Sequence, residues 1–128
     1  MSINKEHKEF HALDMADGWH VPPGYPDGIE QKILSGGLDE AARSGHRTRL
    51  LRFLPGAFTT RPFVHDYWEE VYLLAGDLIV ADATDGGTTE TFAANTYACR
   101  PPGVEHGPFR SQGGCLLLET HYYADGPT

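Results

Sequence analysis

Apolar and polar positions alternate along this chain in short stretches, and glycine or proline closes nearly every stretch. His46 to Leu54 alternates and stops at Pro55-Gly56. Such a period of two puts successive side chains on opposite faces and predicts a strand buried on one side. Ile29 to Leu34 is a shorter strand candidate ended by Ser35-Gly36-Gly37. Glu69 to Asp82 reads as strand, turn and strand, with Gly76-Asp77 as the turn. Asp85-Gly86-Gly87 is a hairpin signal leading into a strand over Thr88 to Ala93. Thr96 to Cys99 runs into Pro101-Pro102-Gly103, and Cys115 to Tyr123 is an apolar, β-rich closing strand. Turns every eight to twelve residues point to an all-β barrel or sandwich. Val71, Leu73, Leu78 and Val80 are the predicted core.

Two segments break the pattern. Leu38 to Ser44 carries helix-favouring residues (Asp39, Glu40, Ala41, Ala42, Arg43) but is short and closes at Gly45. Residues 1 to 28 read as an irregular arm before a domain over 29 to 128. Ser2 to Met15 suggests a helical turn or two. Pro22, Pro23 and Pro26 forbid a regular element over Trp19 to Gly28, with Trp19 as an anchor.

Composition narrows the class. The 128 residues make one domain, and nine prolines with fifteen glycines suit turns better than helices. A net charge of −8 argues against a nucleic-acid partner, whose phosphates need a basic footprint, and against an anionic membrane surface. No apolar run approaches the ~20 residues of a membrane span, and the N-terminus has no signal-peptide core, so a soluble cytoplasmic protein is expected. Cys99 and Cys115 form no C-x-x-C pair and are expected to be buried, inert thiols. Neither Gly-x-Ser-x-Gly nor a phosphate-binding loop occurs, so no serine hydrolase and no nucleotide cofactor is expected.

The chemistry concentrates in histidines and one glutamate. His65 and Glu69 stand four apart, and His106 follows a Pro-Pro-Gly turn able to aim it into a barrel. Two imidazoles and a carboxylate suit iron, manganese, nickel or zinc, with open positions left for substrate. The plainer reading is surface histidines and a solvated charge. Strand alternation places Glu69 inward and Glu70 outward, as a surface charge or a partner to the ligands. Phe63 and Tyr97 are candidates for the pocket mouth, and Arg100 and Arg52 for holding an anionic substrate.

Residues 55 to 110 resemble the two motifs of the cupin family. Pro55-Gly56 opens the first; His65 takes the second histidine of its His-x-His pair, Glu69 the glutamate and Gly76 the closing glycine. In the second, Pro101, Gly103 and His106 fall in register. Asn95 replaces its glycine, and Arg110 its final asparagine. Phe63 stands where the first histidine belongs. The resemblance implies a cupin jelly-roll barrel that holds one divalent metal (Fe, Zn, Mn or Ni) on His65, Glu69 and His106. Either these three suffice, or His46 or His121 supplies a fourth ligand, or the site has decayed and the barrel only binds a molecule. The stretch Tyr97 to Phe109 is similar to small bacterial cupins of the acetylacetone-cleaving and dihydroxyacetophenone dioxygenase group, and to the cupin domain of zinc-binding anti-sigma factors.

The leading expectation is an enzyme acting on a small ketone or aromatic compound, by Fe(II)-dependent C–C cleavage with dioxygen. The first alternative is a non-redox isomerase, cyclase or lyase, in which Glu70, His46 or His121 moves a proton. The second is a small-molecule sensor without catalysis. A free-standing anti-sigma factor is disfavoured, because the first thirty residues contain no cysteine. The family resemblance also implies a homodimer covering an edge strand.

Overall fold

The structure, a computed structural model, describes residues 3–82 and 88–124, so the Asp85-Gly86-Gly87 turn lies outside the described residues. Seven strands form: β1 (Ile29–Asp39), β2 (Ser44–Phe53), β3 (Trp68–Asp82), β4 (Thr88–Ala93), β5 (Thr96–Arg100), β6 (Phe109–Arg110) and β7 (Cys115–Tyr122). The described residues contain no helix, and all pairings are antiparallel, in the order β1-β2-β7-β3-β4 with β5 and β6 also on β3. The all-β barrel class is as expected.

β3 organises the barrel. Its first half, from Trp68 to Gly76, lies between β7 and β5; its second half, from Asp77, pairs with β4 and β6. Gly76-Asp77 is therefore a bend inside one continuous strand, where a turn between two strands was expected. Gly76 sits at φ +88°, and a Cβ there would lie 2.0 Å from the carbonyl oxygen of Gly114, so only glycine fits the crossing. A bulge between Leu73 and Ala75 precedes it. That extra residue explains why the core positions change from odd (Val71, Leu73) to even (Leu78, Val80). The Asp77 carboxylate then accepts backbone N–H bonds from Gln112 and Gly113, which ties the bend to the turn before β7.

The inward faces are apolar at one end and ionic at the other. Ile29, Leu51, Phe53, Val71, Leu73, Leu78, Cys115 and Leu117 form the core, with Val80 partly buried against it. Along the same faces, β1 continues to Gln31, β2 to Arg49, β3 to Glu69, and β7 to Glu119 and His121, all buried. Burial of the apolar end supplies the driving force for closure. The ionic end needs internal partners, because a buried unpaired charge costs far more than a buried methyl gains.

The arm differs from expectation in one respect. Between Ile3 and Gly28 the described residues make no helical turn, only the isolated His20–Gln31 bridge. Trp19 anchors it as expected, lying 4.1 Å from the Arg52 guanidinium and 5.5 Å from the Lys32 ammonium. The ambiguous Leu38 to Ser44 stretch extends β1 to Asp39 and then turns, with the Asp39 carboxylate accepting the Ala42 N–H. No described helix is long and apolar enough to cross a membrane.

Candidate metal centre

Backbone pairing brings the two motifs together. Phe63 and His106 exchange both N–H···O bonds, at 2.7 and 2.9 Å, and the Gly103 N–H donates to the His65 carbonyl. His65, before β3, and His106, after the Pro-Pro-Gly turn, are thereby set over Glu69. His65 Nε2 lies 3.7 Å from Glu69 Oε2, and His106 Nε2 lies 3.4 Å from Oε1. The three ligand atoms lie within 4.8 Å of one another.

Proton positions follow from the partners. His65 Nδ1 faces the Tyr67 carbonyl at 3.1 Å and His106 Nδ1 the Val104 carbonyl at 3.3 Å. A carbonyl only accepts, so each Nδ1 carries the proton and each Nε2 turns a lone pair toward Glu69. His65 Nε2 is buried with no hydrogen-bond partner. An orphaned imidazole lone pair, a second imidazole and a carboxylate converging on one point fit a borderline divalent cation.

His121 joins this cluster in a different role. It is fully buried, with Nε2 2.8 Å from Glu69 Oε2 and 3.2 Å from Glu119 Oε1. Its Nδ1 is the acceptor for Arg47, whose Nε and NH2 lie 2.9 and 2.8 Å away. Arginine can only donate, so the His121 proton is on Nε2 and is shared between the two carboxylates. Glu119 is gripped by Arg49 at 2.7 Å, and Arg49 also donates to Gln31 and Tyr25. Glu69, Glu119 and His121 thus satisfy one another by hydrogen bonds.

Arg100 completes the surroundings of Glu69, donating to Oε1 at 2.9 Å. Burial alone would raise the Glu69 carboxyl; the hydrogen bond donated by His121 leads the interactions that outweigh it and hold the carboxyl well below the usual carboxylate range. Burial, reinforced by the Arg100 charge, pushes His106 down and keeps it neutral. Glu119, also burdened by burial, is held low chiefly by Arg49.

Other candidates lie elsewhere. Glu70 is on the opposite face of β3, where it accepts from Tyr97 at 2.5 Å and Tyr122 at 2.8 Å; neither it nor Tyr97's hydroxyl reaches the cluster, but Tyr97 does line a cavity beside it. His46 is one residue out of phase with Arg47, so it stacks on Tyr122 at 5.7 Å, away from Glu69. Arg52 pairs with Glu30 beneath Trp19 on the outside. Cys99 is exposed, contrary to expectation, while Cys115 is buried, which raises its thiol to about 11. Phe63 does line the cavity beside Glu69 and His106, stacked on His106 at 6.2 Å. Arg47, Arg49, Glu119, Gln31 and Tyr25 were not singled out from the sequence. The available signal was charge of opposite sign at inward positions of two strands, Arg49 beyond Leu51 and Glu119 beyond Leu117.

The space beside Glu69 and His106 is about 30 Å³, enough for an ion or a water or two. A chamber of about 240 Å³ adjoins it, and Val71, Leu78, Leu117 and Arg100 line both.

No family model and no curated protein sequence matches the chain. Solved structures do. An RmlC-like cupin from Shewanella frigidimarina is similar over 96% of both chains, with TM-score 0.64 and 18% identity. An acetylacetone dioxygenase from Acinetobacter johnsonii is similar over 95% of this chain and 80% of its own, with TM-score 0.61 and 21% identity. The polyketide cyclase RemF from Streptomyces resistomycificus is similar over 93% of this chain and 83% of its own, with TM-score 0.63 and 19% identity. At such identities the likeness establishes the fold alone.

Proposed function

From the premise that this chain has the cupin fold, we propose that it is a mononuclear metal-dependent enzyme acting on a small ketone or aromatic compound, with Fe(II)-dependent C–C cleavage by dioxygen as the leading reaction. The observation that carries the metal reading is the buried His65 Nε2, which has no hydrogen-bond partner and faces Glu69 beside His106. His65, Glu69 and His106 would hold the ion. When bound it would supply a Lewis acid for a carbonyl or enolate oxygen and, as iron, a centre for dioxygen.

The chain's own residues supply orientation and exclusion of water. The Tyr67 and Val104 carbonyls set the imidazole planes, and His121 and Arg100 fix the two Glu69 oxygens. Phe63, with Tyr25 and Phe109 stacked on it, closes one side with apolar rings. A site fixed before the substrate arrives pays little reorganisation during reaction. The apolar chamber supports the substrate class, since it offers walls of Leu73, Val80 and Phe92 beside the ligands.

The test is metal content by mass spectrometry for wild type and His106→Ala, followed by turnover of β-diketones and hydroxylated aromatic ketones with and without oxygen. Near-stoichiometric iron lost in the variant, with oxygen-dependent turnover, supports the dioxygenase. Turnover unchanged without oxygen replaces it by the isomerase, cyclase or lyase reading. No metal in wild type after reconstitution leaves a binding module.

A further inference from the structure

The ionic end carries no excess of negative charge before any ion is added. Glu69 and Glu119 bring two negative charges, and Arg49 and Arg100 two positive ones. Arg47, half-buried behind His121, adds a third positive charge. A divalent ion on His65, Glu69 and His106 therefore leaves an excess of positive charge in a space with little water. Enclosed charge of one sign is costly unless a counter-charge enters with it.

Arg100 is placed to meet that counter-charge. It commits NH1 to Glu69, while its Nε and NH2 make no hydrogen bond among the described residues. Its guanidinium is steadied over the Phe109 ring at 5.5 Å, and it lines both the ligand space and the larger chamber. The rest of that chamber is mainly apolar, with Leu73, Val80, Phe92 and Ala98 among its walls. Its volume of about 240 Å³ falls below that of pockets for drug-sized ligands, ~300–1,000 Å³.

We propose that the chamber takes a compact apolar molecule bearing one anionic group (an enolate, phenolate or carboxylate), with Arg100 receiving the anion beside the ligands and the apolar body lying against Ala98 and Phe92. The inference rests on the metal reading above and adds the charge and shape of the substrate. Arg100 acts here as a specificity residue, by supplying a paired donor fork where a neutral ligand leaves it without a counter-charge.

The experiment uses zinc-loaded protein, with benzoate and its neutral isostere benzamide as probes, and calorimetry for affinity. Zinc is measured in every sample. Wild type is expected to bind benzoate at least ~10-fold tighter than benzamide, and Arg100→Gln to bring the ratio to about one, while Arg100→Lys restores part of it. Ala98→Leu, which fills the chamber and touches no charge, is expected to weaken both probes by roughly 10-fold with zinc retained. Equal affinity of the two probes in wild type, a ratio unchanged in Arg100→Gln, or an unaltered affinity in Ala98→Leu overturns the inference while the metal reading stands. A wild-type protein that takes up no zinc overturns the metal reading and this inference with it.

Discussion

Arg47 donates from both Nε and NH2 to Nδ1 of His121, across the β2–β7 ladder in which the two residues are direct partners. That contact decides what His121 does. With its lone pair consumed by Arg47, it faces Glu69 as an N–H donor, so it orients the Glu69 carboxylate.

The first prediction follows from this role. His121→Gln keeps an N–H toward Glu69 and a carbonyl toward Arg47, so metal affinity should fall by less than ~10-fold, whereas His121→Ala should cost ~10–100-fold, as removal of a ligand's supporting partner does. Chelator competition measures both. Pulsed EPR of the copper-loaded protein should count two coordinated imidazoles in wild type and in His121→Gln. Three in wild type would make His121 a ligand.

Stability of the metal-free protein should fall with pH in two steps. His106 is depressed by burial and Arg100, so below about 6.5 the unfolded chain takes up a proton that the folded one does not, and stability declines as pH falls through that window. Glu69 and Glu119 are depressed as well, so their contribution is present above about 4.5 and is lost as acid protonates them in the folded state. Thermal melts in chelator from pH 8 down to about 2 should show both declines, and His106→Gln should flatten the upper one. A melting temperature that rises between pH 7 and 5 would contradict the assignment.

The Arg49–Glu119 pair is a third point of attack. Both side chains are nearly inaccessible, at 3% and 6% exposure. Arg49→Met strands a buried carboxylate and should cost about 3–5 kcal/mol, while Arg49→Met with Glu119→Leu should recover much of the loss in stability. Denaturant titration of the single and double variants measures the difference. A double variant as unstable as the single one would show that the pair is not the source of the effect.

Glycine substitutions should separate crowding from backbone conformation. Gly76 and Gly103 have similar φ values, +88° and +85°, but a Cβ at Gly76 meets backbone while one at Gly103 meets nothing within 4 Å. Gly103→Ala should cost about 1–2 kcal/mol, the penalty of the left-handed region alone. Gly76→Ala should exceed it by at least ~2 kcal/mol, because β3 must pull away from the turn before β7. Equal melting temperatures for the two variants would mean that the crossing tolerates a side chain.

Features that depend on local period and short spacing were legible along the chain. Alternation placed Glu69 inward and Glu70 outward, and the observed face of each agrees. The spacing of His65, Glu69, Pro101, Gly103 and His106 marked the cupin fold and the three residues that converge. Gly76-Asp77 was legible as a special point, yet not as a bend in one strand, because glycine beside aspartate has the same local chemistry in a turn and at a sheet crossing. The remaining features depend on which strands lie side by side. Arg47 and Arg49 lie more than seventy and about seventy residues from His121 and Glu119, so only the β2–β7 register could reveal them as partners. Along either strand they read as ordinary charges. His46 and His121 likewise looked equivalent until pairing put one outside on Tyr122 and the other inside on Glu69. Side-chain facing is a local property of a strand; which charge meets which, and therefore where each imidazole keeps its proton, is a property of the assembled sheet.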